Sequence, residues 1–487
     1  MANLYIFAIG GSGSRVLRSL TMLLASGVQT KHNIIPMIID PDSKNGDLVR
    51  TVGEMTLYKR IHDSLTFNDD NKNKFFSSNI ESLNNDGNFL LDLEGTSGIA
   101  YERYINLNGM SRENQAMMKM LFSNDNLSST MDVGFQGNPN IGSVVLNQFT
   151  ESSNYKNFLQ NFVDGDKVFI VSSIFGGTGA SGFPLLLKSM RTSNNNALNT
   201  AQIGAVSLLP YFNLQENTKS KIDANSFITK MKAALNYYEK NVSGNNTLDE
   251  MYYVGDQLSA KTYNNCDGGN GQVNDAHIVE LIAALSIIDF DSTDLVVTNV
   301  RRTNFHEFGL ATNPNGSDIS FSDFGPRTQA LIVKPLSQMA IINSYLNNRN
   351  LNHRISQRWA KENGNMLGEK FFKGAFFDDY RQFKEGNNEG LNPGFENWLE
   401  QLSINQKSFT PFADDETLRN TDGLEKVFGH KPHYKGFCFK KKGYDLIDER
   451  LSEVQKRIPN GLDAPSAFME LFYITTEEIC ANNLDIR

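Results

Sequence analysis

FGGTGASG, residues 175–182, is the stretch that decides the fold of this chain. It follows the apolar run KVFIVSS at residues 167–173. We therefore expect a buried strand, a glycine turn and the start of a helix. Glycines let the backbone approach a ligand closely, and a helix N-terminus offers unpaired N–H groups to an anion. Thr178 and Ser181 can add hydroxyl donors. The stretch predicts either a phosphate seat or no more than a tight turn.

A second unit of the same kind opens the chain. Residues 4–9 (LYIFAI) predict a buried strand, which Gly10-Gly-Ser-Gly-Ser turns into a helix over about residues 15–26. Residues 34–39 (IIPMII) predict a second strand that ends at Asp40. Strand, glycine turn, helix, strand and acid form the opening of a nucleotide-binding α/β unit.

Two known nucleotide motifs fit this opening less well. The dinucleotide fingerprint needs a glycine where Val16 stands, and neither glycine loop contains the Gly-Lys-Ser/Thr of a Walker A loop. A dehydrogenase with Asp40 on a ribose is an alternative, but it would not need a second glycine loop at residues 175–182.

Length and composition narrow the class of protein. A chain of 487 residues predicts two or three domains, and 39% hydrophobic residues are enough for real cores. The net charge of −9 argues against direct binding of nucleic acid. Three cysteines predict a reducing compartment. With neither a signal peptide nor a membrane span in the sequence, we expect a cytoplasmic protein, and no residue set predicts a metal site.

Apolar periodicity places the remaining elements. We expect loops between short helices over residues 51–131, and we interpret this region as an insertion. Regular helices and strands are predicted within residues 115–288. The predicted helices are 115–122, 143–162, 225–238 and 274–288, with an Asn-Asp cap on the last, and the predicted strands are 201–209 and 251–254.

The order of motifs resembles that of the tubulin and FtsZ superfamily of GTP-binding, filament-forming proteins. The loop at 175–182 is similar to the family signature GGGTG[ST]G, and the loop at 9–14 to its first phosphate loop. GFQGNPNIG at 134–142 is similar to the FtsZ loop GAGGNPxIG. PYF at 210–212 stands in the place of a family Pro-Phe, and VGDQL at 254–258 is similar to Asn-Asp-Lys-Leu. The resemblance covers about residues 3–330 and implies a mostly parallel, Rossmann-like α/β sheet with helices on both faces.

The resemblance also implies a site for GTP or GDP with Mg²⁺. Gly137 and Asn138 would sense the γ-phosphate, and Asp256 would accept hydrogen bonds from guanine. Asp40 or Asp42 would approach the ribose or Mg²⁺. The whole implied nucleotide-binding set is Gly10, Gly11, Ser12, Gly13, Ser14, Arg15, Asp40, Gly137, Asn138, Gly176, Gly177, Thr178, Gly179, Ala180, Glu216 and Asp256.

Several positions depart from the family pattern. Ser14-Arg15 replaces the family Asn-Ala near the base, so Arg15 would stack on guanine or face solvent. Family members hydrolyse GTP between subunits, through an acidic loop that aligns water on the next molecule. The best match to that loop is SDISFSD at residues 317–323, with Asp323 and Asp318 as the candidate catalytic acids. Asp289 and Asp291 are an alternative pair.

The resemblance ends at about residue 331, where residues 331–487 predict a divergent, mostly helical C-terminal domain. Two functions remain open: a bacterial tubulin-like GTPase that assembles head to tail with itself, or a guanine-nucleotide-binding scaffold or switch that holds a partner protein through the C-terminal domain.

Overall fold

The computed structural model describes residues 2–84, 87–96, 98–131, 134–215, 226–243, 247–257, 262–263, 268–293, 302–312, 316–361, 367–387, 393–412 and 443–486. All statements below concern these residues.

A six-stranded parallel sheet in the order β2-β1-β3-β4-β6-β8 forms the centre of the molecule. Its strands are β1 (Asn3–Ile9), β2 (Asn33–Ile39), β3 (Lys167–Ser173), β4 (Ile203–Leu208), β6 (Glu250–Val254) and β8 (Asn304–Glu307). Two short parallel pairs join β5 (Asn213–Leu214) to β7 (Thr262–Tyr263), and β9 (Asp318–Ile319) to β10 (Ser408–Phe409). The predicted α/β class with a parallel sheet is confirmed.

Helices surround the sheet and form the C-terminal region. Those up to the end of the sheet are α1 (Gly10–Ala25), α2 (Gly46–Asp63), α3 (Tyr101–Tyr104), α4 (Arg112–Leu121), α5 (Asn124–Ser128), α6 (Pro139–Leu146), α7 (Ser153–Asn161), α8 (Gly177–Arg191), α9 (Asn196–Thr200), α10 (Phe227–Tyr238) and α11 (Ile278–Ser292). The later ones are α12 (Pro326–Asn348), α13 (Leu351–Ser356), α14 (Arg358–Lys361), α15 (Glu369–Phe372), α16 (Ala375–Glu385), α17 (Gly394–Ser403), α18 (Tyr444–Val454) and α19 (Ala464–Asn483).

Both faces of the sheet are covered, as its continuous apolar strands require. On one face the rings of Tyr5 and Phe7 in β1 pack at 5.0 Å from Phe158 in α7. On the other, Phe169 in β3 packs at 5.1 Å from Phe290 in α11. Strand side chains alternate between the faces, so each strand contributes to both cores.

Three predicted elements differ from the observed ones. The first helix begins at Gly10 rather than near residue 15. The region expected to hold loops and short helices from residue 51 begins inside α2, which runs to Asp63 and is capped by Asn45, whose side chain accepts from the N–H groups of Asp47 and Leu48. The helix expected to run to residue 162 is broken, because Ser152 accepts from the N–H of Tyr155 and starts the new helix α7.

Helix α11 also begins later than predicted. His277 is its N-cap and accepts from the Val279 N–H at 3.1 Å, while Glu280 accepts from the His277 N–H at 3.0 Å. This reciprocal arrangement is a capping box. The predicted Asn-Asp cap is therefore wrong, and Asn274 and Asp275 lie ahead of the helix.

Strand β2 forms one edge of the sheet and contains Pro36, which faces Ile6 of β1. Single bridges flank the proline on the outer side, where the Ile34 and Ile38 N–H groups donate to Asn79 and Phe89. Pro36 lacks an N–H, so it offers no donor to another strand at this edge.

The C-terminal helices pack on α1 and α2. The indole N–H of Trp398 in α17 donates to Ser19 Oγ at 3.2 Å, and Arg18 contacts both Glu54 at 3.0 Å and Gln401 at 2.6 Å. The predicted boundary at residue 331 falls inside α12. Among the residues described, none of the helices has the length and apolar character needed to cross a membrane.

Candidate functional site

Three glycine loops meet at one cleft, here called the glycine cleft. A Cβ added to Gly10 would lie 3.5 Å from Thr178 Cβ, and one added to Gly134 would lie 3.7 Å from Thr178 Oγ1. The three loops are far apart in the sequence but adjacent in space. The described lining consists of Gly10, Gly11, Ser12, Arg15, Gly134, Gly137, Ser173, Phe175, Gly176, Gly177, Thr178, Gly179, Phe212, Leu214, Phe227, Gln272 and Asn274.

The glycine cleft lies where the strand order of the sheet reverses. From β1 the chain crosses to β2 on one side, and later to β3 on the other. Gly10 directly follows the last residue of β1, and Gly176 is the third residue after the end of β3. In open α/β sheets, ligands bind in the crevice at the carboxyl ends of the strands at such a switch point.

Two helices direct their N-termini toward this cleft. Helix α1 begins at Gly10 after Ile9, and α8 begins at Gly177 after Gly176; neither start has a side-chain cap. The first N–H groups of a helix lack partners within it, and the helix dipole makes this end positive. Two uncapped helix starts at one cleft can bind an anion with several phosphate groups.

Glycine is required where the loops touch. A Cβ on Gly177 would overlap the carbonyl oxygen of Gly134, and one on Gly179 would lie 2.5 Å from the Ser173 carbonyl oxygen. Gly134 and Gly137 have left-handed φ values of +51° and +70°, which other residues rarely adopt. The backbone therefore holds the shape of the cleft.

The far end of the cleft has a different character. Phe175, Phe212 and Phe227 form an aromatic cluster with centroid separations of 4.9–6.1 Å. Gln272 and Asn274 add carboxamides to the lining. Asn274 donates from its NH₂ to Asp47 at 2.8 Å, and this contact leaves its carbonyl oxygen as an acceptor for a ligand. The sequence alone does not predict these aromatic and carboxamide side chains as site residues. It indicates a helix cap at Asn274 and core positions for the aromatic residues.

The cleft encloses about 140 Å³, which is less than the roughly 300–1,000 Å³ of a typical small-molecule pocket. This space suits a chain of phosphate groups. The sugar and base of a nucleotide would then lie toward the aromatic end and the open side.

Arg15 neither stacks at the surface nor faces solvent. Its side chain is 3% exposed and pairs with Asp47 at 2.9 Å and Glu280 at 2.5 Å. Its third nitrogen donates to the Tyr211 hydroxyl at 2.9 Å, which in turn donates to Glu280 at 2.7 Å. Two buried carboxylates hold the guanidinium, so the alternative in which Arg15 faces solvent is wrong. The network links α1, α2, the loop after β4 and α11.

Asp40 and Asp42 lie at the end of β2, outside the described lining of the glycine cleft. Asp42 accepts from the Gly269 N–H at 2.6 Å and from the Lys44 N–H at 3.1 Å. Burial, with smaller contributions from the carboxylates of Asp42 and Asp47, raises the pKa of Asp40 to about 7, while the hydrogen bond from the Asp42 N–H opposes the shift. These acids shape the neighbouring loop.

Four other predicted residues have local roles. Ser14 is buried, and its hydroxyl donates to the Gly10 carbonyl at 3.4 Å. Gly13 lies against β1, since a Cβ there would be 2.8 Å from the Ala8 carbonyl carbon. The Asn138 carboxamide caps α6 by accepting from the Asn140 N–H at 3.0 Å. The Ala180 carbonyl accepts from Tyr238. Glu216 lies outside the described residues.

Asp256 lies in another cavity, here called the second cleft, of about 880 Å³. Its carboxylate is 3.5 Å from Lys407 Nζ, and it is absent from the lining of the glycine cleft. The residues that share this cavity are mostly apolar and come from the ends of β4, β6 and β8 and from α11. The geometry places Asp256 away from the phosphate loops, and its predicted contact with guanine stays a prediction.

The two predicted catalytic acids lie outside the glycine cleft, in the β9 region. Asp323 accepts from the Ser320 N–H at 2.8 Å and the Thr312 hydroxyl at 3.0 Å. The Ser320 N–H is the main reason that the Asp323 pKa is lowered. Asp318 accepts from the Ser408 hydroxyl at 3.1 Å. Asp323 therefore caps a turn in this chain.

Asp289 and Asp291 lie at the opposite end of the sheet from the glycine cleft, where the strands begin. Helix α11 begins beside Asn274 at the cleft, and its last turn contacts the starts of β2 and β3. There Asp291 is 2.7 Å from His32 Nδ1, and its carbonyl accepts from Lys167. Asp289 accepts from the Tyr252 hydroxyl at 2.9 Å and pairs with Arg327 at 3.0 Å. Asp289 is 15% exposed and is the more accessible of the two.

No group of His, Cys, Asp and Glu side chains that could hold a metal ion occurs among the residues described. The hydroxyls of Ser12 and Thr178 are oxygen donors in the lining that can complete the shell of a phosphate-bound Mg²⁺.

No protein-family model and no curated protein matches this chain. Solved structures match about half of it. One is CetZ from Methanosaeta thermophila strain DSM 6194, which is 16% identical, with 53% of this chain and 46% of that chain covered and a TM-score of 0.25. Another is the helical model of a TubZ-Bt two-stranded filament, with 11% identity, 52% and 46% coverage and a TM-score of 0.22.

Each match spans 46% of the length of the matched chain. At these identities and TM-scores it carries no argument about activity.

Proposed function

We propose that this chain binds GTP, with the phosphates in the glycine cleft and Mg²⁺ bound to them. The observation that carries this proposal is the convergence of three glycine loops and two uncapped helix starts at the switch point of the sheet. The helix N-termini of α1 and α8 supply N–H donors and positive dipole ends to the phosphates. A bound Mg²⁺ neutralises phosphate charge and orients the terminal phosphate.

The aromatic end of the cleft receives the base and sugar. Phe212 offers an aromatic face, and the Asn274 carbonyl oxygen can accept a hydrogen bond from a base N–H. Guanine carries such donors at N1–H and its amino group. Since adenine also has an amino donor, the preference for guanine rests on the resemblance, and competition between GTP and ATP tests it.

Hydrolysis is proposed to require a second copy of the chain. The described lining of the glycine cleft contains no carboxylate that could position water. Asp289 lies at the opposite end of the sheet from the glycine cleft and is partly exposed. Head-to-tail association would bring the end of one copy that carries Asp289 to the glycine cleft of the next copy. A carboxylate that orients the attacking water would then act between subunits.

The test of nucleotide binding is titration of labelled GTP against the wild type, Gly177→Val and Gly309→Val. Valine at 177 would overlap the loop at Gly134, whereas a Cβ at Gly309 meets no atom within 4 Å. We expect Gly177→Val to abolish binding and Gly309→Val to retain it. Failure of the wild type to bind any guanine nucleotide would refute the proposal.

The test of assembly is GTP turnover as a function of protein concentration, with pelleting in parallel. A specific rate that rises steeply above a threshold concentration, together with pelleted protein, is the expected result. Tight GTP binding with flat or absent turnover would favour the alternative, a nucleotide-binding scaffold that holds a partner protein through the C-terminal helices. The capping role of Asp323 is the observation that favours this alternative.

A further inference from the structure

Lys230 lies on α10 beside the loop that contains Gly137. A Cβ built on Gly137 would be 3.2 Å from Lys230 Nζ. Gly137 lines the glycine cleft, and Lys230 lines an adjoining groove of about 430 Å³, here called the α10 groove. Gly176 lines both cavities, so they meet at the start of α8. The ammonium is therefore close to the end of the cleft formed by the Gly134–Gly137 loop.

To bind a triphosphate more tightly than a diphosphate on the basis of charge, the glycine cleft needs a cation near the Gly134–Gly137 loop. Arg15 is the guanidinium in its described lining, and that charge is balanced by Asp47 and Glu280. The other described lining residues are uncharged. Backbone amides bind each phosphate group alike, but an ammonium responds to the additional charge of a triphosphate.

Helix α10 can move because it is loosely packed. Of its twelve residues, Phe227 and Tyr238 are buried. Phe227 lines the glycine cleft, while Ile228 and Met231 line the second cleft of about 880 Å³. An element with few buried apolar contacts opens or shifts at low cost in free energy. A small shift of α10 would carry the Lys230 ammonium toward the phosphates.

We propose that Lys230 is a specificity-determining residue that contacts the terminal phosphate of the nucleotide, so that the chain binds triphosphates more tightly than diphosphates. This inference rests on the proposed nucleotide site and adds the residue that reads the state of the nucleotide. Binding of the terminal phosphate draws α10 onto the Gly134–Gly137 loop, which makes α10 the element that differs between the two nucleotide states.

The experiment measures the dissociation constants of GTPγS and GDP, both with Mg²⁺, for the wild type, Lys230→Met and Lys230→Arg. Lys232→Met is the matched control, because Lys232 is exposed on the same helix and its loss changes the net charge equally. Removing a charge-assisted hydrogen bond predicts that Lys230→Met binds GTPγS about 10-fold more weakly or worse. Its GDP affinity should stay within about 2-fold of the wild type, since GDP lacks the contacted group.

The controls separate the possible failures. Lys230→Arg should recover part of the discrimination, and Lys232→Met should match the wild type. If Lys230→Met weakens GTPγS and GDP equally, or neither, Lys230 does not read the terminal phosphate, although the nucleotide site stands. If the wild type binds neither nucleotide, the proposed function itself fails.

Discussion

The Arg15 guanidinium is the charged centre of the wall behind the glycine cleft. It joins Asp47 at the start of α2 to Glu280 at the start of α11, and Asp47 also contacts Arg50. Charges removed from water in this way cost free energy that only close pairing offsets. The network therefore fixes the relative positions of three helix starts around the cleft.

Arg15→Met is expected to lower the free energy of unfolding by about 3–5 kcal/mol, because it leaves the buried Asp47 and Glu280 without their cation. Urea denaturation followed by circular dichroism measures this. Arg15→Lys should recover part of the loss, since one ammonium can reach one of the two carboxylates. A loss below about 1 kcal/mol for Arg15→Met would show that the network is not a structural element.

Asp40 makes stability depend on pH. Its pKa in the folded chain is about 7, whereas an unfolded aspartate has a pKa near 3.9. The folded state therefore binds this proton more tightly, and the stabilisation is present below about pH 4 and is lost as pH rises toward 7. Asp40→Asn should raise the free energy of unfolding of the nucleotide-free protein by on the order of 2 kcal/mol at about pH 8, after allowance for partial exposure, and change it little at about pH 4. Equal effects at both pH values would contradict the raised pKa.

At the scale of elements, the buried strands of the sheet were predictable, whereas the exposed edge strand β8 and the starts of α1 and α11 were not. Buried parallel strands are continuous apolar runs, so residues 4–9, 34–39 and 167–173 indicated their strands directly. Helix α1 begins on glycines without a capping side chain, so the usual start signal is missing. Helix α11 uses His277 as its cap, a residue type outside the usual cap set.

The same distinction applies to the site. Glycine loops could be predicted because their spacing relative to strands is local information. The positions of Asp256 and Asn274 depend on which loops the fold brings together over long distances, and no local pattern contains that. Asp256 lies in the second cleft, where its contact with guanine stays a prediction, and Asn274 lies in the glycine cleft rather than capping a helix.

The contact between α17 and α1 predicts how the elements unfold. Trp398 is fully buried and donates to Ser19 in α1. Trp398→Ala is expected to cost about 3–5 kcal/mol. Because α17 packs on a helix of the sheet, calorimetry should show one transition that shifts as a whole to lower temperature. Two transitions, of which only one shifts, would show that the C-terminal helices unfold independently.

At the scale of the whole molecule, α11 runs from the glycine cleft at the carboxyl ends of the strands to the opposite end of the sheet, and Asp289 lies in the last turns of this helix. Under the proposal that Asp289 acts on the nucleotide of another copy, Asp289→Asn should lower GTP turnover about 100-fold or more and leave GTP affinity unchanged. Asp323→Asn is the comparison, and we expect a small effect on turnover. The reverse result would assign catalysis to Asp323.

Mixing variants tests whether catalysis occurs between copies. Gly177→Val keeps Asp289 but should not bind nucleotide, and Asp289→Asn binds nucleotide but lacks the acid. Turnover by the mixture above the sum of the two separate rates is the expected result. No gain would contradict catalysis at a junction between subunits.

Pro36 affects how copies of the molecule can join. The outer side of β2 is occupied by the backbone groups of residues 79–91 at two bridges, and between them the proline has no hydrogen to donate. Neighbouring molecules therefore cannot extend the sheet sideways from this edge. The β2 flank of the molecule is in this way protected from ribbon-like aggregation.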